Sequence, residues 1–67
     1  MIKSNVKQLM ENSGLSVRKL ATLTGLALGT IDRARGDLIL KCSLETLQTI
    51  ARACGCRVKD LFTEDDS

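Results

Sequence analysis

An all-α fold, a compact bundle of about five short helices in one domain spanning 1–67, follows from three features of the sequence. Apolar residues recur mostly at spacings of three and four, the period of a buried helix face. No proline interrupts the chain. Glycines at 14, 25, 36 and 55 stand just past the apolar runs, where a helix commonly ends.

The first helix runs to about Ser13, capped by Asn5 or Ser4, with Val6, Leu9 and Met10 on one face. Ser16 caps the second, which runs to Thr24–Gly25, and Leu15 and Leu20 have the spacing of a hydrophobic staple. Leu20 and Ala21 face inward. A third helix, from about Ala27 to Arg35, buries Ile31 and Ala34. Residues 37–42 read as a loop whose Leu38–Ile39–Leu40 run is apolar and exposed. Ser43 caps a fourth helix with Leu44, Leu47, Ile50, Ala51 and Cys54 as its buried stripe, and Cys42 with Leu47 repeats the staple spacing. A short fifth helix from about Val58 to Phe62 packs Val58, Leu61 and Phe62, and the acidic tail, about 63–67, frays.

A chain of 67 residues buries roughly 60% of its unfolded surface, which leaves no room for a deep catalytic cleft. With a single Phe and no Trp or Tyr, the core is aliphatic. Histidine is absent, so there is no imidazole general base, and Ser16 and Ser43 are spent as caps. The chain is therefore expected not to be an enzyme. Cys42, Cys54 and Cys56 form no C-x-x-C pair and read as reduced thiols behaving as small hydrophobes, with no metal and no cofactor. No targeting or membrane-spanning segment is evident, which predicts a soluble cytoplasmic protein with neither a membrane partner nor a small-molecule substrate.

The formal charge of +2 conceals an asymmetry. Through Lys59 there are ten basic residues against four acidic ones; the other four acids lie within the last eight residues. A basic body with an acidic tail suits a polyanion held away from that tail.

The informative unit spans 16–36. Two short helices meet across Thr24–Gly25–Leu26, a three-residue turn with glycine, as a helix-turn-helix requires. Ala21 is small where the helices approach, Gly25 permits a positive φ, and Ile31 fills the space between them with Leu20, Leu26 and Ala34. Taken alone, this pattern fits either a DNA-binding motif or an αα-hairpin of some other bundle.

The run "LSVRKLATLTGLALGTIDRARGD", followed by "SLETLQTIARACGCRVKDLF", resembles the lambda-repressor-like family, also called Cro/cI-type or XRE-type regulators. The likeness extends from about Val6 to Phe62. It is carried by the Leu15–Ser16 opening, the "LA..TG" and "TI.R" elements, and "SLETL..IA.A.G....DLF" in the second half. The resemblance implies a five-helix bacterial or phage domain that binds double-stranded operator DNA. Its third helix would enter the major groove, usually as a homodimer on a pseudo-palindromic site.

On that reading Ala27, Leu28, Gly29, Thr30, Asp32 and Arg33 face the bases, while Ser16, Val17, Arg18, Lys19, Arg35 and Lys41 face phosphates. Family members commonly carry Ser, Arg or Gln where this chain has Ala27, Leu28 and Gly29, and glutamine where it has Val17. The bidentate readers of guanine and adenine are thus missing from the leading turn. Leu28 suits a thymine methyl, Thr30 a base or phosphate, and Arg33 guanine. Asp32 repels phosphate unless it accepts from a cytosine amino group or pairs with a neighbouring arginine. Dimerisation is expected through Leu38, Ile39 and Leu40, or through the fifth helix with Val58, Leu61 and Phe62. The function expected is a sequence-specific transcriptional regulator, a repressor. The alternative is a protein-interaction module on the same fold, an antirepressor or antitoxin-like binder of a regulatory protein, suggested by the apolar 26–29 turn and the 38–40 run.

Overall fold

The computed structural model describes residues 2–64. Four α-helices form the body: α1 (Val6–Ser13), α2 (Val17–Thr24), α3 (Leu28–Ala34) and α4 (Leu44–Cys54). Single 3-10 turns occupy Asp37–Lys41 and Val58–Leu61. Two short strands, β1 (Ile2–Ser4) and β2 (Phe62–Glu64), pair antiparallel in the register Ile2↔Glu64, Lys3↔Thr63, Ser4↔Phe62.

The helices form where local chemistry agrees with the apolar period. Ser16 Oγ accepts from the Lys19 amide at 3.1 Å, and Ser43 Oγ accepts from the Thr46 amide at 3.1 Å. Each bond satisfies one of the donors that a helix start leaves without an internal partner. Val6, Met10, Leu20, Ile31, Ala34, Ile39, Leu47, Ile50, Ala51 and Leu61 make one core. It contains no aromatic side chain, and α2 packs against both α3 and α4 around it.

The expected compact helical fold holds, with a small ribbon added where the two ends of the chain pair. Several local expectations are corrected. The fifth helix, Val58 to Phe62, is a 3-10 turn that stops at Leu61: Asn5 donates its amide to the Leu61 carbonyl at 2.7 Å, and Phe62 turns extended into β2. Thr63 and Glu64, the first residues of the acidic tail, lie in β2; 65–67 lie outside the described residues. Asn5 stands at the start of α1 but makes no capping bond there. Its side chain donates to Thr63 Oγ1 at 2.8 Å instead, while Ser4 Oγ accepts from the Val6 amide at 3.3 Å.

The 37–42 segment is a 3-10 turn rather than a loop. Three residues per turn aim its neighbouring side chains in three directions, so Ile39 is buried in the core while Leu38 and Leu40 stay exposed. Ile39 is therefore removed from the expected dimer surface. Leu44 in turn leaves the buried stripe of α4. It lies one turn before Leu47 and is 75% exposed, beyond the reach of the packed helices.

Candidate nucleic-acid interface

The turn between α2 and α3 is built by three neighbouring residues. Thr24 Oγ1 donates back to the Leu20 carbonyl at 2.7 Å and accepts from the Leu26 amide at 3.2 Å, so one hydroxyl ties the helix end to the outgoing chain. Gly25 adopts φ +74° and donates its amide to the Ala21 carbonyl at 2.8 Å. A Cβ added at Gly25 would meet no atom within 4 Å, so the left-handed backbone alone calls for glycine here. Ala27 is extended and its carbonyl accepts from Thr30 and Ile31, which starts α3. Thr24 was placed in the turn from the sequence, but the role of its hydroxyl was not; a threonine immediately before a helix-ending glycine was the available signal.

Ile31 and Ala34 turn one face of α3 into the core. At about 100° per residue, Gly29, Asp32 and Arg33 fall on the opposite face, and all three are exposed. Ala27 and Leu28 are exposed at the leading end, with Leu28 at 47%. Thr30 is half-buried on the flank. Six expected base-facing residues thus become five open ones and one partly covered.

Among the expected phosphate-facing residues, Ser16, Arg18, Lys19 and Lys41 are exposed. Val17 is half-buried and packs against the core, so its backbone rather than its side chain is what the start of α2 offers. Arg35 is half-buried and its Nη1 lies 3.4 Å from Asp32 Oδ1. This is the one ion pair among the described residues, and a neighbouring arginine was one of the two partners considered for Asp32, beside a cytosine amino group. Arg18, Lys19 and Arg33 have no carboxylate within ion-pair distance among the described residues, and their charge is available to solvent. The 3-10 turn that carries Lys41 packs directly against α3.

A second concave feature lies on the other side of that turn. Ile2, Ile39, Leu40, Cys42, Leu44, Leu47 and Phe62 line an open apolar groove of about 280 Å³. Val58, expected beside Phe62, does not line it and is half-buried against the core. The three cysteines are free. Burial pushes the Cys54 thiol up, aided by neighbouring Cys56, and burial then Asp60 push Cys56 up, so both are weaker nucleophiles at neutral pH than an open cysteine. No cluster of three metal-ligating side chains occurs among the described residues. No helix among them is long and apolar enough to cross a membrane.

The sequence profile of the Cro/C1-type HTH DNA-binding domain matches residues 5–66. The chain belongs to that family. The resemblance drawn from the two sequence runs thus holds, and the Cro/C1-type domain is a DNA-binding module of regulatory proteins. Within the matched span, α2 and α3 are joined by the short turn at Gly25. A search among curated proteins finds no match to the chain.

Proposed function

We propose that this Cro/C1-type domain is a sequence-specific regulator of transcription that seats α3 in the major groove of double-stranded DNA and represses by occupying its operator. The observation that carries this reading is the open face of α3 beside Arg18 and Lys19 of α2, which are exposed and make no ion pair among the described residues. In this arrangement Leu28 meets a thymine methyl, Thr30 a base or phosphate, and Arg33 donates to guanine. The backbone amides at Val17 and Arg18, with Arg18, Lys19, Arg35 and Lys41, hold the phosphates on either side. Ser16 sits at the same contact but already caps α2.

The test is a salt titration of binding to mixed-sequence duplex. Affinity should be measurable at low salt and fall steeply with added salt, as counterion release requires. No binding at low salt overturns the reading.

Two copies on a two-fold operator are part of this proposal, joined through the apolar groove. An interface between identical partners must be self-complementary. Leu40 (69% exposed) and Leu44 (75% exposed) project at the rim of the hollow floored by Ile39 and Leu47, so a second copy supplies both knob and hole. Among the described residues no charged side chain lines the groove, which favours an equally apolar partner surface over DNA. The Leu40→Asp/Leu44→Asp double variant is expected to sediment as monomer where the native chain sediments as dimer, with unchanged helical content because neither side chain is buried. A native monomer, or a variant of unchanged mass, excludes this interface.

A further inference from the structure

The exposed face of α3 carries a carboxylate where a polyanion would approach, and this is the least expected feature of the site. Asp32 is 67% exposed and, among the described residues, held only by Arg35 Nη1 at 3.4 Å, a long single contact rather than a two-pronged one. Arg35 is far more covered, with 30% of its side chain exposed, and its buried Nε has no hydrogen-bond partner among the described residues. The pair is therefore weakly held on both sides, and each partner has bonding capacity to spare. Beside Asp32 on the leading side stands Gly29, where an added Cβ would meet nothing within 4 Å, so the space next to the carboxylate is open.

We infer that Asp32 is the residue that sets base selectivity, by exchanging partners with Arg35 when DNA binds. The inference rests on the reading that α3 faces the major groove. A phosphate oxygen is a stronger partner for Arg35 than one long contact to Asp32. Once Arg35 turns to phosphate, Asp32 is left as an unpaired acceptor close to the bases, and the amino group of cytosine satisfies it. Adenine is a poorer fit, because its N7 lone pair sits beside the amino group and repels the second carboxylate oxygen. Thymine and guanine present acceptors there and leave the carboxylate unpaired among phosphates. In the free protein Arg35 shields Asp32; on a wrong sequence that shield is lost without replacement. A carboxylate at this position thus weakens binding to DNA at large and favours sites with a cytosine opposite residue 32.

Selection from a random duplex library tests this with the native chain, Asp32→Ala and Asp32→Asn. The native chain should enrich a site with one position fixed as cytosine. Asp32→Ala should relax that position alone, and Asp32→Asn should move it towards adenine, which asparagine reads with two bonds. Replacing that cytosine by thymine should weaken the native chain about tenfold and Asp32→Ala less than about twofold. On mixed-sequence duplex Asp32→Ala should bind several-fold tighter than native, and the gain should fall by at least half in an Arg35→Gln background, because part of it acts through Arg35. An unchanged consensus in both Asp32 variants overturns the assignment, and an undiminished gain in the Arg35→Gln background overturns the exchange. If the native chain enriches no sequence at all, the sequence-specific reading of α3 fails first, an outcome distinct from either.

Discussion

Replacing Ile31 with alanine is expected to remove about 3 kcal/mol of folding stability, the size usual for truncating a large aliphatic side chain in a core. Ile31 is fully buried, in one cluster with Leu20, Ile39, Leu47 and Ile50. The neighbouring elements are pinned by their own turns, the Thr24 hydroxyl on one side and the 3-10 turn on the other, so the site has little freedom to collapse around the lost atoms. A domain of this length has roughly 3–10 kcal/mol in total, so the variant should be partly unfolded at moderate temperature. Urea unfolding supplies the measurement, with a lowered midpoint at an unchanged slope. Leu28→Ala, one turn earlier at the exposed leading end of α3, is the control and should stay within about 0.5 kcal/mol of native. Equal losses at the two positions would mean that α3 does not pack in the orientation described.

Neutralising Arg18, Lys19 and Lys41 together, each to glutamine, is expected to weaken binding to mixed-sequence duplex on the order of a hundredfold at low salt. The dependence of log affinity on log salt should also become shallower by about 2.7, three phosphate contacts at about 0.9 each. The three side chains are exposed and make no ion pair among the described residues, so their removal leaves no charge stranded in the fold. Stability should therefore change little, and a loss of affinity reads directly as lost phosphate contact. A salt slope equal to that of the native chain would show that these charges do not meet the backbone. A slope changed by only about one unit would single out one of the three, to be identified from the separate substitutions.

Much of the scaffold was legible because short-range chemistry decides it. Ser16 and Ser43 cap α2 and α4 as their positions before an apolar run suggest, and Gly25 ends α2 in the left-handed conformation that reverses the chain. Ile31, Ala34, Leu47, Ile50 and Leu61 are in the core as their spacing implies. The pairing of Ile2–Ser4 with Phe62–Glu64 was not legible. Strands of three residues carry too little alternation to stand out, and their partners lie at opposite ends of the chain. Ile39 and Leu40 look alike in sequence, yet the 3-10 turn buries one and exposes the other. Leu44 shares the helical phase of Leu47 and is still exposed, because phase gives the direction of a side chain and not whether anything stands in front of it.

The candidate interface divides along the same line. Which residues of α3 point outward follows from the helical period, and Gly29, Asp32 and Arg33 do so. The pairing of Asp32 with Arg35 follows from their spacing of three, whereas the half-burial of Val17 and the burial of the Arg35 Nε depend on packing between elements that no local pattern specifies.

Titration of the ¹⁵N-labelled domain with a short mixed-sequence duplex, followed by amide chemical shifts, asks where DNA lies on the molecule. The amides from Ser16 to Lys19 and from Ala27 to Arg33 should move first and furthest, while the middle of α4 stays in place. Shifts gathered instead around Leu40, Leu44 and Phe62, with α3 unmoved, would put the nucleic acid on the groove and take the helix-turn-helix out of its recognition.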